Sequence, residues 1–162
     1  MPLPQPSLKG RALRLLSGRE YSRAELERKL KTHEQSPDLL ARALDELQAK
    51  GFINEQRVID SVVHHRAAKL GVARIKQELQ NKGLDPSAVK DAVTGLQTSE
   101  LERARAIWYK KFGASSSATN SPQAVSAAER GKQMRFLASR GFGADTIRRV
   151  VAGASDDQEI NP

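Results

Sequence analysis

One pattern of apolar residues occurs three times along this chain of 162 residues, and no other feature restricts the possible fold as strongly. Each copy is marked by a residue suited to the N-cap of a helix, namely Ser36, Asp85 and Gly143. Hydrophobic residues stand six positions before and four and eight positions after each marker: Leu30, Leu40 and Leu44; Leu79, Val89 and Val93; Leu137, Ile147 and Val151. Spacings of four and eight residues follow one face of an α-helix. The chain is therefore predicted to contain three copies of one helical unit.

Each copy is expected to hold three helices. In the first copy, one helix covers about Leu8 to Leu16, and a second opens at a capping box formed by Ser22 and Glu25. The third opens at Ser36, with a proline in the first helical position. The central copy repeats this plan, with Asn54 as a cap for its first helix.

The third copy departs from the plan. Its first helix is expected from Leu101 to Phe112, followed by a Ser-rich polar linker at residues 113–122 and a longer helix from about Gln123. The markers are 49 residues apart in the first interval and 58 in the second. The linker and the longer helix absorb that difference.

We therefore predict an all-α fold built from three tandem three-helix repeats at residues 1–53, 54–98 and 99–155, with an acidic tail at 156–162. One unit of this size buries too little apolar surface to be stable alone, so the three units should stack on one another. The expected product is an elongated, curved helical stack of right or left hand.

The net charge of +8 is concentrated near the C-terminus. Residues 101–155 carry 10 basic and 3 acidic side chains, whereas the tail carries three acidic ones. A basic surface of this kind favours an acidic partner, and nucleic acid is the usual one. The alternative is that the excess of Lys and Arg only keeps a helical protein soluble.

The sequence offers little for catalysis, metal binding or membrane insertion. The chain has no Cys, and its histidines, His33, His64 and His65, lack the spacing of metal ligands. No Walker loop, GxGxxG or GxSxG motif occurs, so we expect no enzyme activity, no cofactor and no metal. No apolar stretch approaches the ~18 residues of a membrane span, and the N-terminus does not resemble a signal peptide. We expect a monomeric cytoplasmic protein.

Two stretches of the chain resemble the RecX family, bacterial regulators of the RecA recombinase. The more specific one lies in the central copy and comprises Leu47, Gly51, Arg57, Arg66, Gly71, Arg74-Ile75, Glu78-Leu79 and Lys82-Gly83. The second is the closing run Arg135-Phe136-Leu137, Arg140-Gly141-Phe142 and Ile147-Arg148-Arg149-Val150.

The resemblance implies a regulator without enzyme activity of its own. Such a protein is expected to bind RecA in the groove of its filament on single-stranded DNA and to restrain its ATPase, strand-exchange and co-protease activities. DNA repair, recombination and the SOS response would follow as its context, with weak binding to bare single- or double-stranded DNA. Two alternatives remain open: a helix-turn-helix module that binds DNA directly, and a structural adaptor for another protein.

The cations expected to contact the filament or DNA come from the second and third repeats: Arg66, Lys69, Arg74, Lys76, Lys82, Arg130, Lys132, Arg135, Arg140, Arg148 and Arg149. Arg66 has a second interpretation, because it lies on the apolar stripe and could instead pair with a carboxylate where two helices meet. Trp108 is predicted to be a core residue. A base-stacking platform would instead need an exposed aromatic ring in basic surroundings.

Overall fold

The structure, a computed structural model, describes residues 1–117 and 125–156. All regular secondary structure in these residues is helical, which confirms the all-α prediction. A 3₁₀ turn at Lys31–His33 follows the second of the nine α-helices in this part of the chain. Their bounds are α1 Leu8–Gly18, α2 Arg23–Leu30, α3 Pro37–Ala49, α4 Glu55–Arg66, α5 Val72–Asn81, α6 Pro86–Thr98, α7 Glu100–Ser117, α8 Ala127–Ser139 and α9 Ala144–Asp156.

Helices α2, α4 and α6 begin where their capping residues predict. Ser22 and Glu25 form the predicted capping box, in which the Ser22 N–H donates to the Glu25 carboxylate at 2.8 Å and the Glu25 N–H donates to Ser22 Oγ at 3.2 Å. The side chain of Asn54 accepts the Arg57 N–H at the start of α4, at 3.0 Å. The side chain of Asp85 likewise caps α6. Local sequence therefore places these helix starts correctly.

The residues form two compact units, Met1–Val62 with Leu79–Val89, and Val63–Glu78 with Lys90–Pro162. The first unit has a core of buried leucines from α2 and α3, joined by Ala12, Tyr21 and Ile53. In the second unit, α7, α8 and α9 share a core that contains Ala104, Leu137, Phe142, Ile147, Val150 and Val151. The predicted apolar positions of the first and third copies are thus the buried ones.

In the first unit, the turn between α5 and α6 docks on the first turns of α2. The Ser22 hydroxyl donates to the carbonyl of Lys82, and the Arg28 guanidinium donates to the carbonyl of Asn81 at 3.0 Å. Gly83 has a φ of +67°, and a Cβ there would lie 2.7 Å from the Cβ of Ala24. This turn needs glycine for its backbone conformation and for its close approach to α2.

The second unit repeats this docking one repeat later. The turn between α8 and α9 packs against the start of α5, where the Gly71 N–H donates to the Arg140 carbonyl at 2.8 Å and the Ala73 N–H to the Gly141 carbonyl at 3.3 Å. Gly141 again has a positive φ, +85°. Ala73 follows Ala24 by 49 residues, which is the spacing of the markers. The repetition in sequence therefore corresponds to a repeated contact between neighbouring repeats.

In the third repeat, the structure differs from the predicted linker at residues 113–122. Helix α7 continues to Ser117 instead of ending at Phe112. Phe112 is buried and anchors the helix at this point, while alanine and serine tolerate helical geometry and a single glycine costs only about 1 kcal/mol. The rest of the predicted linker, from residue 118, lies outside the described residues, as does the tail beyond Asp156.

The start of α8 also differs from the prediction. This helix begins at Ala127 and not near Gln123, because Ser126 takes the N-cap position. The Ser126 hydroxyl accepts the Glu129 N–H at 3.1 Å, which satisfies one of the free N–H groups of the first turn.

Candidate nucleic-acid interface

Helix α9 turns its two predicted arginines away from the core. Ile147, Val150 and Val151 are at most 5% exposed and face α7 and α8, whereas Arg148 and Arg149 are exposed. The Arg148 guanidinium lies 3.6 Å from the Asp145 carboxylate, but its side chain stays 68% exposed. A surface ion pair of that kind contributes little and leaves the arginine accessible.

Helix α8 also presents cations to solvent. Lys132 and Arg135 are three residues apart, and both are exposed. Arg130, five residues before Arg135, is also exposed. The opposite side of the helix is buried at Gln133 and Leu137. None of the three cations forms an ion pair with a carboxylate of the described residues.

Two predicted cations before and within α5 are also accessible to solvent. Lys69 precedes the helix and Lys76 lies in its middle, and both side chains are exposed. Neither has a carboxylate partner within the described part of the chain. Both belong to the same compact unit as α8 and α9.

Arg66 and Lys82 are engaged within the protein. The Arg66 Nε lies 3.0 Å from the Glu78 carboxylate, and this ion pair joins α4 and α5. Pairing with a carboxylate was one of the two interpretations that the sequence left open for Arg66. The Lys82 ammonium lies 3.0 Å from the Glu25 carboxylate, and both side chains are less than 15% exposed. Lys82 is therefore part of the docking of the α5–α6 turn on α2 and not a surface cation.

Arg74 and Arg140 also have intramolecular partners. The Arg74 guanidinium donates to the carbonyl of Ser139 at 3.1 Å, and its stem lies against Gly141, so it caps the end of α8. The Arg140 guanidinium lies 5.0 Å from the centre of the Phe136 ring, and it donates to the carbonyl of Lys69 at 3.5 Å. These two arginines hold the α8–α9 turn in place.

A half-buried network that the sequence did not predict connects α7 with the turn between α4 and α5. The Arg103 guanidinium donates to the carbonyls of Ala67 and Leu70 at 2.8 and 2.7 Å. Burial lowers the pKa of Arg103, and the nearby Glu100 opposes that shift. The Glu100 carboxylate accepts the Val72 N–H at 3.0 Å, at the start of α5. Such partners are about thirty residues away in sequence, so no local pattern reveals them.

The aromatic residues of α7 have different surroundings. Trp108 packs in the core as predicted, and its indole N–H donates to the side-chain oxygen of the buried Gln133 at 3.0 Å. The next residue, Tyr109, is 70% exposed. Its position one residue outside the apolar stripe of Leu101, Ala104 and Trp108 is the sequence signal for this exposure.

The exposed cations give the described residues a positively charged surface. No group of three or more His, Asp or Glu side chains within them could hold a metal ion. Among the same residues, no helix combines the length and the hydropathy that a membrane span requires.

Comparison with known proteins identifies relatives along nearly the whole chain. The family models described as the first, second and third three-helix domains of RecX match residues 9–47, 54–93 and 98–151. The regulatory protein RecX of Leptothrix cholodnii is 49% identical over 156 residues, which cover 96% of this chain and 94% of that protein. The regulatory protein RecX of Ralstonia nicotianae is 44% identical over 156 residues, covering 95% and 93%.

Solved structures share the fold. The crystal structure of RecX from Lactobacillus salivarius superposes with a TM-score of 0.73 at 22% identity, covering 92% of this chain and 94% of that one. A second crystal structure, of a regulatory protein RecX, gives a TM-score of 0.71 at 20% identity and covers 90% and 71%. The predicted organisation into three tandem three-helix repeats is thereby confirmed.

Proposed function

The chain belongs to the RecX family of regulatory proteins, and from this premise we propose that it binds RecA and the filament that RecA forms on single-stranded DNA. Binding restrains the ATPase, strand-exchange and co-protease activities of RecA, and so tunes DNA repair and the SOS response. The protein itself contributes no catalytic step. It works in the cytoplasm as a monomer, with RecA as its partner and no cofactor.

The observation that carries this proposal is the set of accessible cations in one compact unit. Among the predicted cations, six are exposed and have neither an ion pair nor a side-chain hydrogen bond within the described residues: Lys69, Lys76, Arg130, Lys132, Arg135 and Arg149. Arg148 joins them through its high exposure. The DNA inside a filament groove supplies a negative field that attracts such a surface. A body held there would block filament growth or keep RecA subunits in an unproductive state.

The direct test is the DNA-dependent ATPase of RecA, titrated with this protein from sub-stoichiometric to equimolar amounts. We expect the ATPase to fall over this range. An unchanged ATPase, measured with folded protein, would contradict the proposal and favour an adaptor for another partner.

A charge reversal on α9 tests the proposed surface. Arg148→Glu with Arg149→Glu should weaken filament binding about tenfold or more, since two attractions become repulsions. The helical signal and the melting temperature should not change, because neither side chain supports the core. If the reversal leaves filament binding intact, α9 is not part of the surface.

The chain itself offers a matched control for this reversal. Arg42 lies six residues after Ser36, as Arg149 lies six after Gly143, and Lys90 lies five after Asp85, as Arg148 lies five after Gly143. Arg42 and Lys90 are exposed, without ion pairs among the described residues. Reversing this pair changes the net charge by the same amount. It should have a smaller effect on binding if the α9 position matters.

Salt dependence separates the proposal from the helix-turn-helix alternative. Binding to bare DNA through about six phosphates should fall roughly 10³-fold between 50 and 200 mM salt. Filament binding that includes protein–protein packing should fall less. A parallel decline of both affinities would favour direct DNA binding.

A further inference from the structure

Tyr109 is an exposed aromatic ring without a role in the core. It is 70% exposed, more than any other aromatic residue of the chain. The second most exposed is Phe52, at 46%. The remaining aromatic side chains are buried or half-buried. A tyrosine ring exposed to this extent offers an apolar face and a polar hydroxyl to a partner.

Gly113 allows the Tyr109 ring to lie against α7. A Cβ at Gly113 would come within 3.0 to 3.2 Å of three ring atoms, Cδ2, Cγ and Cε2. Contacts that short are tighter than most real Cβ contacts, so a larger residue at this position would shift the ring by a few tenths of an ångström. One edge of the ring is therefore supported by the helix, and the rest of it faces solvent.

The surroundings of the ring are basic. Arg105 lies one turn earlier on the same side of α7, Lys110 follows the tyrosine, and both are exposed. Lys111 is directed elsewhere, towards the Phe136 ring at 5.8 Å. Glu102 is the acidic neighbour, two turns towards the N-terminus. Residues 101–155 as a whole carry a net charge of +7.

We propose that Tyr109 is a stacking platform for an unpaired base of single-stranded nucleic acid, with Arg105 and Lys110 facing the phosphates on either side. An exposed aromatic face combined with cations is the pattern by which proteins hold single strands without sequence preference. Paired bases cannot use such a platform, because their faces are covered in the duplex. The proposal rests on the proposed function, since it names how the protein would contact the DNA strand of the filament.

Stacking is separated from phosphate binding by comparing three oligonucleotides of equal length: a thymidine strand, an abasic strand with the same phosphates, and a duplex. Fluorescence anisotropy of the labelled oligonucleotides measures each affinity for the full-length protein. Tyr109→Ala should weaken binding to the thymidine strand about tenfold and leave the abasic strand and the duplex unchanged. Arg105→Gln should weaken binding to all three.

Three further variants control this comparison. Tyr109→Phe keeps the aromatic face and should bind the thymidine strand as the parent does. Tyr109→Leu keeps apolar bulk without the face and should behave as the alanine variant. Phe52→Ala removes the other exposed aromatic residue and should leave binding to the thymidine strand unchanged.

Three results would overturn the stacking platform: an unchanged affinity of Tyr109→Ala for the thymidine strand, an equal loss with the abasic strand, or no binding of the parent protein to any single strand. An equal loss with RecA alone, in the absence of DNA, would identify Tyr109 as a protein contact instead. The ATPase titration keeps this test apart from the proposed function. If the parent protein restrains RecA while Tyr109→Ala binds DNA normally, only the platform is wrong.

Discussion

Glycine-to-alanine substitutions separate two demands on the repeat junctions: backbone conformation and close approach. Gly51 has a φ of +80° and nothing within 4 Å of a built Cβ, so Gly51→Ala loses only the conformational preference, about 1–2 kcal/mol. Gly71 has no positive φ, but its Cβ would lie 2.3 Å from the carbonyl carbon and oxygen of Gly141. Those are backbone atoms and cannot move away by rotating a side chain. Gly71→Ala must therefore separate the α4–α5 turn from the α8–α9 turn.

The cost of separating them follows from the contacts that are lost. Two backbone hydrogen bonds join the turns, at 2.8 and 3.3 Å, and each contributes about 1 kcal/mol. Forced overpacking adds about 1–3 kcal/mol. Gly71→Ala should therefore cost roughly 3–5 kcal/mol. Gly141→Ala should cost at least as much, because Gly141 has a φ of +85° and an added Cβ would overlap Arg74 Cγ.

Urea unfolding followed by Trp108 emission is the appropriate measurement, because Trp108 lies in the same compact unit as Gly71 and Gly141. Circular dichroism reports Gly51→Ala in the other unit. Gly95→Ala is the opposite control: Gly95 lies inside α6 with open space around it, so alanine should stabilise the helix by about 0.5–1 kcal/mol. If Gly71→Ala costs no more than Gly51→Ala, the turns do not dock as described.

Two further substitutions test single polar contacts. Burial raises the pKa of Glu25, but hydrogen bonds from Ser22, Lys82 and Arg19 outweigh it, so the net shift is downward. The carboxylate's contribution is therefore complete above the unfolded-state pKa and is lost as pH falls through the lower folded-state pKa. Glu25→Gln should cost about 1–2 kcal/mol at pH 7 and flatten the decline of stability below about pH 4.5, measured by urea unfolding across pH; an acid decline as steep as the parent's would contradict this. Gln133→Leu removes the acceptor of the Trp108 indole N–H and should cost about 1–2 kcal/mol in the same denaturation experiment; an unchanged free energy of unfolding would mean that the bond does not contribute.

The sequence could predict what depends on periodicity and caps. Apolar residues at helical spacing identify the buried stripe of α9, and Ser22 with Glu25 identifies the start of α2, because both effects act within a few residues. The end of α7 was predicted wrongly, because a Ser-rich composition favours a linker, whereas the helix anchored by the buried Phe112 continues to Ser117. Tertiary anchoring outweighs local propensity there.

The positive charge of the candidate surface could be predicted from the sequence, but the residues that form it could not. Arg149 and Lys82 are both cations near a repeat marker, yet Arg149 is exposed and Lys82 pairs with Glu25 at 3.0 Å. The partner of Lys82 lies 57 residues away, so its ion pair depends on how the α5–α6 turn docks on α2. A cation's charge is evident from sequence, whereas its availability depends on tertiary contacts.

The repeat organisation explains why two cations of α8 are available. Arg28 in α2 and Arg74 in α5 each donate to carbonyls of the following repeat's turn, at Asn81 and Ser139. Counted back from the shared leucine positions Leu30, Leu79 and Leu137, the third repeat carries Arg135 where the first has Arg28, and Lys132 where the second has Arg74. Within the described residues no such turn packs against these two cations, and they remain exposed on α8. A cation position that joins neighbouring repeats in the first two copies is thus accessible to solvent in the third. Accordingly, filament binding should depend on Lys132 and Arg135, and stability on Arg28 and Arg74.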